Sequence, residues 1–258
     1  MNLPVNCYKK ERVGYLELNR PEKRNALNSE MVEAIKTALN EFEKDNEVKI
    51  VIIKAAGKVF CSGADLAYLQ SLQTNTFEEN LADSQSLKDL FQRIYAFPKV
   101  VIAQIQGHAL AGGCGLASVC DFSFAVPGAK FAYTEVKIGF VPALVMVFLI
   151  KKIGVGKAKQ LMLDGDLISA AEAQDIGLIN WIVEEDVLED EVYGYAQKLI
   201  TGNSGQSLAK IKEMVVELEG KSLKESLDYA AKMNAFARST EDCQKGIASF
   251  LNKQNITW

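Results

Sequence analysis

Two glycine-bearing stretches decide the fold of this chain: Phe60-Cys-Ser-Gly-Ala-Asp-Leu66 and Gly107-His-Ala-Leu-Ala-Gly-Gly-Cys-Gly-Leu-Ala-Ser-Val-Cys-Asp121. Each follows an apolar run typical of a buried β-strand, Val48 to Ala55 before the first and Val100 to Ile105 before the second. Each also leads toward a predicted helix. Free backbone N–H groups at the start of a helix bind anions, and two such groups aimed at one carbonyl oxygen form an oxyanion hole. The two stretches therefore predict strand-to-helix turns that build a site.

The remaining pattern predicts an α/β architecture. The segment Val13 to Leu18 alternates between apolar and other residues like a half-buried strand, and Ser29 to Lys44 has apolar residues at helical spacing. Thr76-Phe-Glu-Glu79 is a capping box that predicts a helix running toward Ala96. Beyond about residue 142 the pattern predicts a mainly helical chain, with further capping boxes at Ser169 and Ser222. We expect a core over residues 1–200 and a helical region over 201–258, packed on that core or on a neighbouring subunit.

Composition argues against several classes of function. The formal net charge of −4 over 258 residues gives no electrostatic footprint for nucleic acid. No run of 18 apolar residues and no signal-peptide pattern is present, so we expect a cytoplasmic protein without a membrane span. Five scattered cysteines and a single histidine provide no zinc-ligand spacing, and they make a Ser-His-Asp triad a poor hypothesis. We expect His108 to be a packed structural residue.

The two turns resemble the two halves of the oxyanion hole in the crotonase (enoyl-CoA hydratase/isomerase) superfamily. The resemblance implies that the backbone N–H groups of Ser62 and Gly112 bind the thioester oxygen. It also implies the crotonase (ClpP-like) fold, a spiral core of stacked ββα units followed by a helical C-terminal trimerisation region, and hence a homo-trimer or hexamer. No metal, nicotinamide or flavin is implied, and coenzyme A enters only as part of an acyl-CoA thioester substrate.

The resemblance extends to one catalytic carboxylate and breaks at a second. Glu135 matches a catalytic glutamate in the superfamily's F-x-x-x-E-x-x-x-G-x-x-P pattern, which here runs from Phe131 to Pro142. Gly115 stands where the hydratases carry their other catalytic glutamate. A lone glutamate at the Glu135 position resembles the Δ3-Δ2-enoyl-CoA isomerases. The stretch around Tyr133 is instead similar to bacterial methylglutaconyl-CoA hydratase-like members, in which case Tyr133 either positions water or is an ordinary strand aromatic. Hydratase and isomerase therefore both stay open.

Three further segments resemble the superfamily's coenzyme A contacts. In Asn19-Arg-Pro-Glu-Lys-Arg-Asn-Ala-Leu-Asn28 the implied contacts are Arg24, Ala26 and Leu27, and in the first turn they are Ala64, Asp65 and Leu66. Near the C-terminus, Lys253 aligns with a lysine that contacts the CoA phosphate, commonly from an adjoining subunit. Cys243 and Asn252 depart from the usual arginine and glutamate of that ending.

These expectations lead to two hypotheses. In the first, the chain is an enzyme that hydrates or isomerises the double bond of an enoyl-CoA through an enolate held in the oxyanion hole, with Glu135 as acid and base. In the second, it is an acyl-CoA-binding protein with little or no catalysis, because Gly115 replaces the other glutamate.

Overall fold

Two sheets organise residues 3–258, the part of the chain that this computed structural model describes. In spatial order, the larger sheet contains β1 (Val5–Lys10), β2 (Val13–Leu18), β3 (Ile50–Ala55), β5 (Val100–Ile105), β7 (Phe122–Ala125) and β10 (Trp181–Ile182). The smaller sheet contains β4 (Val59–Cys61), β6 (His108–Leu110), β8 (Lys130–Ala132) and β9 (Ile168–Ser169). Neighbouring strands are parallel except in the pairs β1/β2 and β8/β9.

Helices connect and cover these strands. They are α1 (Ser29–Lys44), α2 (Leu66–Ser71), α3 (Phe77–Tyr95), α4 (Gly112–Ser118), α5 (Ala143–Asp164), α6 (Ala170–Asp175), α7 (Leu188–Gly202), α8 (Gly205–Glu217), α9 (Leu223–Ala237) and α10 (Glu241–Leu251). Short 3₁₀ turns occupy Pro21–Lys23, Leu72–Thr74 and Thr134–Ile138. Within residues 3–258, no helix combines the length and the apolar character needed to cross a membrane.

Several predicted elements are confirmed in position as well as in type. The strand at Val13–Leu18 and the helix at Ser29–Lys44 have the predicted bounds. Thr76, Ser169 and Ser222 each cap a helix through a complete capping box, in which the hydroxyl accepts a backbone N–H and the third helical residue, a glutamate, bonds back. These are local interactions within four residues, and sequence spacing is sufficient to identify them.

The hydrophobic core lies between the sheets and their covering helices. Helix α1 turns Met31, Ile35 and Leu39 completely away from solvent, as its 3.6-residue apolar period requires. The strands β3 and β5 are buried along almost their whole length, which is characteristic of parallel strands covered on both faces. The core therefore holds β3 and β5 rigidly, and with them the chain segments that leave their carboxyl ends.

The C-terminal helices are attached differently. Helices α8, α9 and α10 bury none of their residues in the single chain, although each has an apolar face. Lys212 of α8 ties this region to the core through an ion pair with Asp121 and a hydrogen bond to the carbonyl of Lys99. Helix α7 ends at Gly202 and α8 begins at Gly205, and the boundary predicted between residues 200 and 201 stays a prediction.

Candidate active site

Three short parallel strands deliver the predicted site residues to one edge of the smaller sheet. Strand β4 pairs with β6, and β6 pairs with β8, both in parallel. The carboxyl ends of parallel strands meet at the same edge, so the segments that follow Cys61, Leu110 and Ala132 emerge side by side. The backbone N–H of Ala111 donates to the carbonyl of Ala132 at 2.7 Å and joins two of these segments.

Glycine allows the two predicted turns to approach each other closely. Gly63 has a φ of +91°, and a Cβ on it would lie 2.7 Å from the Cβ of Ala111. A Cβ on Gly113 would lie 2.2 Å from the carbonyl oxygen of Cys61. Any larger side chain at either position would push the turns apart. The glycines thus bring the N-terminus of α4 against the turn after β4.

The backbone N–H groups of the turn after β4 differ in whether they have an acceptor within the chain. Ser62 N–H donates to the carbonyl of Arg24 at 3.1 Å, so the structure does not support Ser62 as the first oxyanion donor. Asp65 N–H donates to the carbonyl of Leu27 at 2.8 Å. Among the described residues no backbone or side-chain acceptor takes the N–H of Ala64, and its nitrogen lies 3.9 Å from the Cβ position of Gly112. The Ala64 N–H is therefore free within the described chain and lies close to Gly112.

Gly112 is the first residue of α4, and no acceptor in the described chain takes its N–H. The first N–H groups of a helix have no acceptor within the helix. The residue before it, Ala111, has φ 51° and ψ −127°, a conformation that non-glycine residues rarely adopt. Backbone strain of this kind concentrates at functional sites, where the fold enforces it. Here the strained residue sets the direction of the Gly112 N–H.

Glu135 is the carboxylate of this edge. It lies in the 3₁₀ turn Thr134–Ile138, and its residue surface is only 9% exposed. Its Oε2 atom is buried without a hydrogen-bond partner in the described chain. Burial raises the pKa of Glu135, because a charged carboxylate loses hydration there, while a bond from its own backbone N–H acts in the opposite direction. A carboxyl group with a raised pKa is suited to accept and return a proton.

The position of the missing glutamate is occupied by a hydrophobic side chain. A Cβ on Gly115 would lie 2.1 Å from Cγ1 of Val145, which belongs to α5. The ring of Phe91 lies 3.7 Å from the same point. Val145 is itself only 4% exposed. The chain has therefore filled this space with a valine, and a carboxylate at position 115 would need a different α5.

The predicted coenzyme A segment does reach the first turn. Leu27 N–H donates to the carbonyl of Gly63 at 2.7 Å, and Leu27 forms a parallel β-bridge with Ala64. Ala26 and Leu27 are each 5% exposed. Arg24 is exposed and has a left-handed backbone with φ 53°. Leu27 therefore lies next to the turn after β4, and the contacts of Arg24, Ala26 and Leu27 with coenzyme A stay a prediction.

Asp65 has a structural role, and its predicted contact with coenzyme A stays a prediction. Its Oδ1 accepts the N–H groups of Ala67 and Tyr68 and caps α2, while its Oδ2 accepts Nη2 of Arg20 at 3.1 Å. Burial acts to raise the pKa of Asp65, but the bonds from Arg20 and the α2 backbone outweigh it and lower that pKa. Leu66, which follows, is 66% exposed, and its contact with coenzyme A also stays a prediction.

The sequence also singled out Lys253 and His108. Lys253 is exposed, has φ 53°, and follows α10 in the C-terminal segment. Arg12, just before β2, holds that segment by donating to the carbonyl of Trp258 at 2.8 Å. No hydrogen bond or ion pair in the described chain joins Lys253 to the site. His108 is exposed rather than packed, so that expectation is wrong, and its Nδ1 accepts the Lys130 N–H at 3.2 Å.

Comparisons with known proteins identify the family of this chain. The model of the enoyl-CoA hydratase/isomerase family matches residues 8–258. The chain belongs to this family. A Thermus thermophilus protein assigned as an enoyl-CoA hydratase is 40% identical over 245 residues, which cover 95% of this chain and 96% of the relative. The crotonyl-CoA hydratase of Syntrophomonas wolfei is 35% identical over 256 residues, 97% of this chain and 95% of that protein.

Solved structures confirm the crotonase fold of this family member. An enoyl-CoA hydratase from Shewanella pealeana superposes with a TM-score of 0.93 at 30% identity, over 99% of this chain and 96% of that one. An enoyl-CoA hydratase from Bacillus anthracis gives 0.90 at 28% identity, over 99% and 98%. Among residues 3–258, no three His, Cys, Asp or Glu side chains cluster as metal ligands would.

Proposed function

We propose that this family member acts on an enoyl-CoA thioester through an enolate intermediate. The proposal rests on two observations. The Ala64 N–H, which no acceptor in the described chain takes, lies near Gly112 at the start of α4. The buried carboxylate of Glu135 follows β8, which ends at the same edge of the smaller sheet. The N–H groups of Ala64 and Gly112 would bind the thioester oxygen and stabilise negative charge as it develops there. Glu135 would transfer the proton to or from the carbon next to the thioester.

Glu135 is the one carboxylate assigned to this chemistry in the proposal. Because Val145 fills the space beside Gly115, any proton transfer at the α-carbon falls to Glu135. Isomerisation needs only one such group, since the proton removed from C2 is the proton returned at C4. Hydration needs the same carboxylate to take a proton from water and deliver it to C2. Both reactions pass through the same enolate. No metal or redox cofactor enters this scheme, and coenzyme A is part of the substrate.

The coenzyme A moiety would lie along the segment from Arg24 to Leu27, which forms the bridge to the first turn. The Arg24 guanidinium is exposed there, and a cation of this type suits phosphate oxygens. Lys253 would reach the coenzyme only from another subunit. The apolar faces of α8, α9 and α10, unburied in one chain, would form the contact that creates a trimer or hexamer.

The test uses crotonyl-CoA and, separately, 3-hexenoyl-CoA with the purified protein in heavy water, followed by mass spectrometry. The proposal predicts that one or both are hydrated or isomerised, and that Glu135→Gln lowers turnover by about 10²- to 10⁴-fold. Binding of butyryl-CoA, measured by calorimetry, should be unchanged in that variant. Tight binding of butyryl-CoA with no reaction of either substrate would favour the acyl-CoA-binding hypothesis, which the loss of the second carboxylate at Gly115 motivates.

A further inference from the structure

A second unpaired polar group lies beside Glu135. Tyr133 is completely buried, yet its hydroxyl makes no hydrogen bond of ordinary geometry within the described chain. Buried polar groups in proteins are almost always paired, because an unpaired one loses its hydration without compensation. Two unpaired buried oxygens, on Tyr133 and Glu135, therefore come from one three-residue segment at the catalytic edge.

The neighbours of the hydroxyl locate it against α4. They include Cys114 and Ser118, which are four residues apart and so share one face of the helix, and Glu135 is also close enough to interact. Ser118 donates its own hydroxyl to the carbonyl of Gly115 at 2.8 Å. The Tyr133 hydroxyl thus lies against the face of α4 that Cys114 and Ser118 share, on the same helix as Gly115.

The chemistry of this hydroxyl limits what it can do. Burial, above all other effects, raises the pKa of Tyr133 well above its ordinary value, and burial raises the pKa of the adjacent Cys114 thiol to about 12. Both groups are therefore neutral near pH 7. A neutral tyrosine cannot take a proton from water, but it can donate a hydrogen bond to it. Glu135 is therefore the group that can transfer the proton, and Tyr133 is a group that can position the water molecule.

We propose that the Tyr133 hydroxyl donates a hydrogen bond to the water molecule that Glu135 deprotonates, so that hydration proceeds with one carboxylate. This inference rests on the proposed function and adds the reaction and a second catalytic residue to it. In the step, Glu135 takes a proton from water while the water oxygen bonds to C3 of the enoyl group. The electron pair of the C2–C3 double bond moves to form the enolate, whose oxygen the Ala64 and Gly112 N–H groups hold. Glu135 then returns the proton to C2.

The decisive variant is Tyr133→Phe, which removes the hydroxyl and keeps the ring that fills the core. Its rates are measured for hydration of crotonyl-CoA and for isomerisation of 3-hexenoyl-CoA, which consumes no water. We expect kcat for hydration to fall about 10- to 100-fold, the range for loss of one buried hydrogen bond. Isomerisation should stay within about threefold, since the Tyr133 hydroxyl takes no part in moving a proton between C2 and C4.

Two controls make the result specific. Tyr15→Phe removes the hydroxyl of another buried tyrosine, in β2, and should leave both rates unchanged. Tyr133→Gln keeps a hydrogen-bond donor and should hydrate faster relative to isomerisation than Tyr133→Phe does. Thermal unfolding of each variant identifies any that has lost its fold, and the ratio of the two rates is read within each folded variant.

The outcomes separate this inference from the function it rests on. Equal losses in both reactions, or no loss of hydration in Tyr133→Phe, would overturn the role of Tyr133. An unmodified protein that isomerises but never hydrates would overturn it as well, while leaving the enolate chemistry intact. Failure of the proposed function would appear instead as a Glu135→Gln variant that retains both activities.

Discussion

The contact between Gly115 and Val145 gives a prediction whose size follows from the structure. A methyl group on Gly115 would meet Cγ1 of Val145 at 2.1 Å, far inside the ordinary carbon–carbon contact of about 3.5–4.0 Å. Overpacking of this kind costs about 1–3 kcal/mol, from which roughly 0.5–1 kcal/mol is recovered because alanine favours a helix over glycine. Gly115→Ala should therefore lose about 1–2 kcal/mol of folding free energy, which lowers the melting temperature by about 2–8 °C.

The partner variant tests whether Val145 is the cause. Val145→Ala removes two buried methyl groups and should cost about 2 kcal/mol by itself. In the double variant the new methyl at position 115 occupies space that the valine has left. The loss of folding free energy in the double variant should then be about 1–2 kcal/mol smaller than the sum of the losses in the two single variants.

The assay is thermal unfolding followed by circular dichroism at one protein concentration, completed as a double-mutant cycle. Gly194→Ala is the matched control, because a Cβ on this glycine of α7 meets nothing within 4 Å. It should melt at or above the temperature of the unmodified protein. Strictly additive losses in the cycle, or an unperturbed Gly115→Ala, would refute the conclusion that Val145 occupies the site of the second carboxylate.

Three other predictions follow from the burial or exposure of individual side chains. Burial raises the pKa of Glu135, so between the ordinary glutamate pKa and the raised one the folded protein holds a proton that the unfolded chain has released. The stability that this residue contributes therefore declines as pH rises through that interval, and the melting temperature of Glu135→Gln should rise relative to that of the unmodified protein. Melting temperatures that change in parallel would contradict a buried carboxyl group. The thiols of Cys61, Cys114 and Cys120 are buried, and burial raises the pKa of each to about 12. Iodoacetamide should therefore leave them unmodified until denaturant is added. Peptide mapping that finds them labelled in the native protein would count against their burial. Phe236→Asp places a charge on the apolar face of α9, where Phe236 is half-exposed. This charge should reduce the molar mass measured by light scattering below that of a trimer or hexamer. An unchanged molar mass would exclude this face from the subunit contact.

The sequence predicted those parts of the fold that depend on neighbours within one or two turns. The helix of Ser29 to Lys44 and the capping box at Thr76 are of this kind, since periodicity and side-chain spacing contain the whole interaction. Strand β1 was not predicted, although Val5–Lys10 pairs with β2 along its whole length. Strands β4 and β6 have three residues each, too few for an alternating pattern to identify.

In the candidate site too, nearby sequence identifies some residues, whereas others depend on contacts between distant parts of the chain. Glu135 and Gly112 could be chosen from motifs, because each is specified by residues close to it in the chain. Ser62 could not be distinguished from Ala64 in this way, since the acceptor that takes the Ser62 N–H is the carbonyl of Arg24, 38 residues away. Nor does any local pattern show that Val145 fills the space at Gly115, because that contact depends on how α5 packs against α4.

The central claim is that Glu135 and the two N–H groups stabilise an enolate, and hydrogen exchange in a saturated thioester tests it most directly. Butyryl-CoA has no double bond to hydrate or move, so incorporation of deuterium at C2 in heavy water reports proton removal alone. We expect the unmodified protein to catalyse this exchange and Glu135→Gln to slow it about 10²- to 10⁴-fold. Equal exchange rates in the two proteins would contradict it.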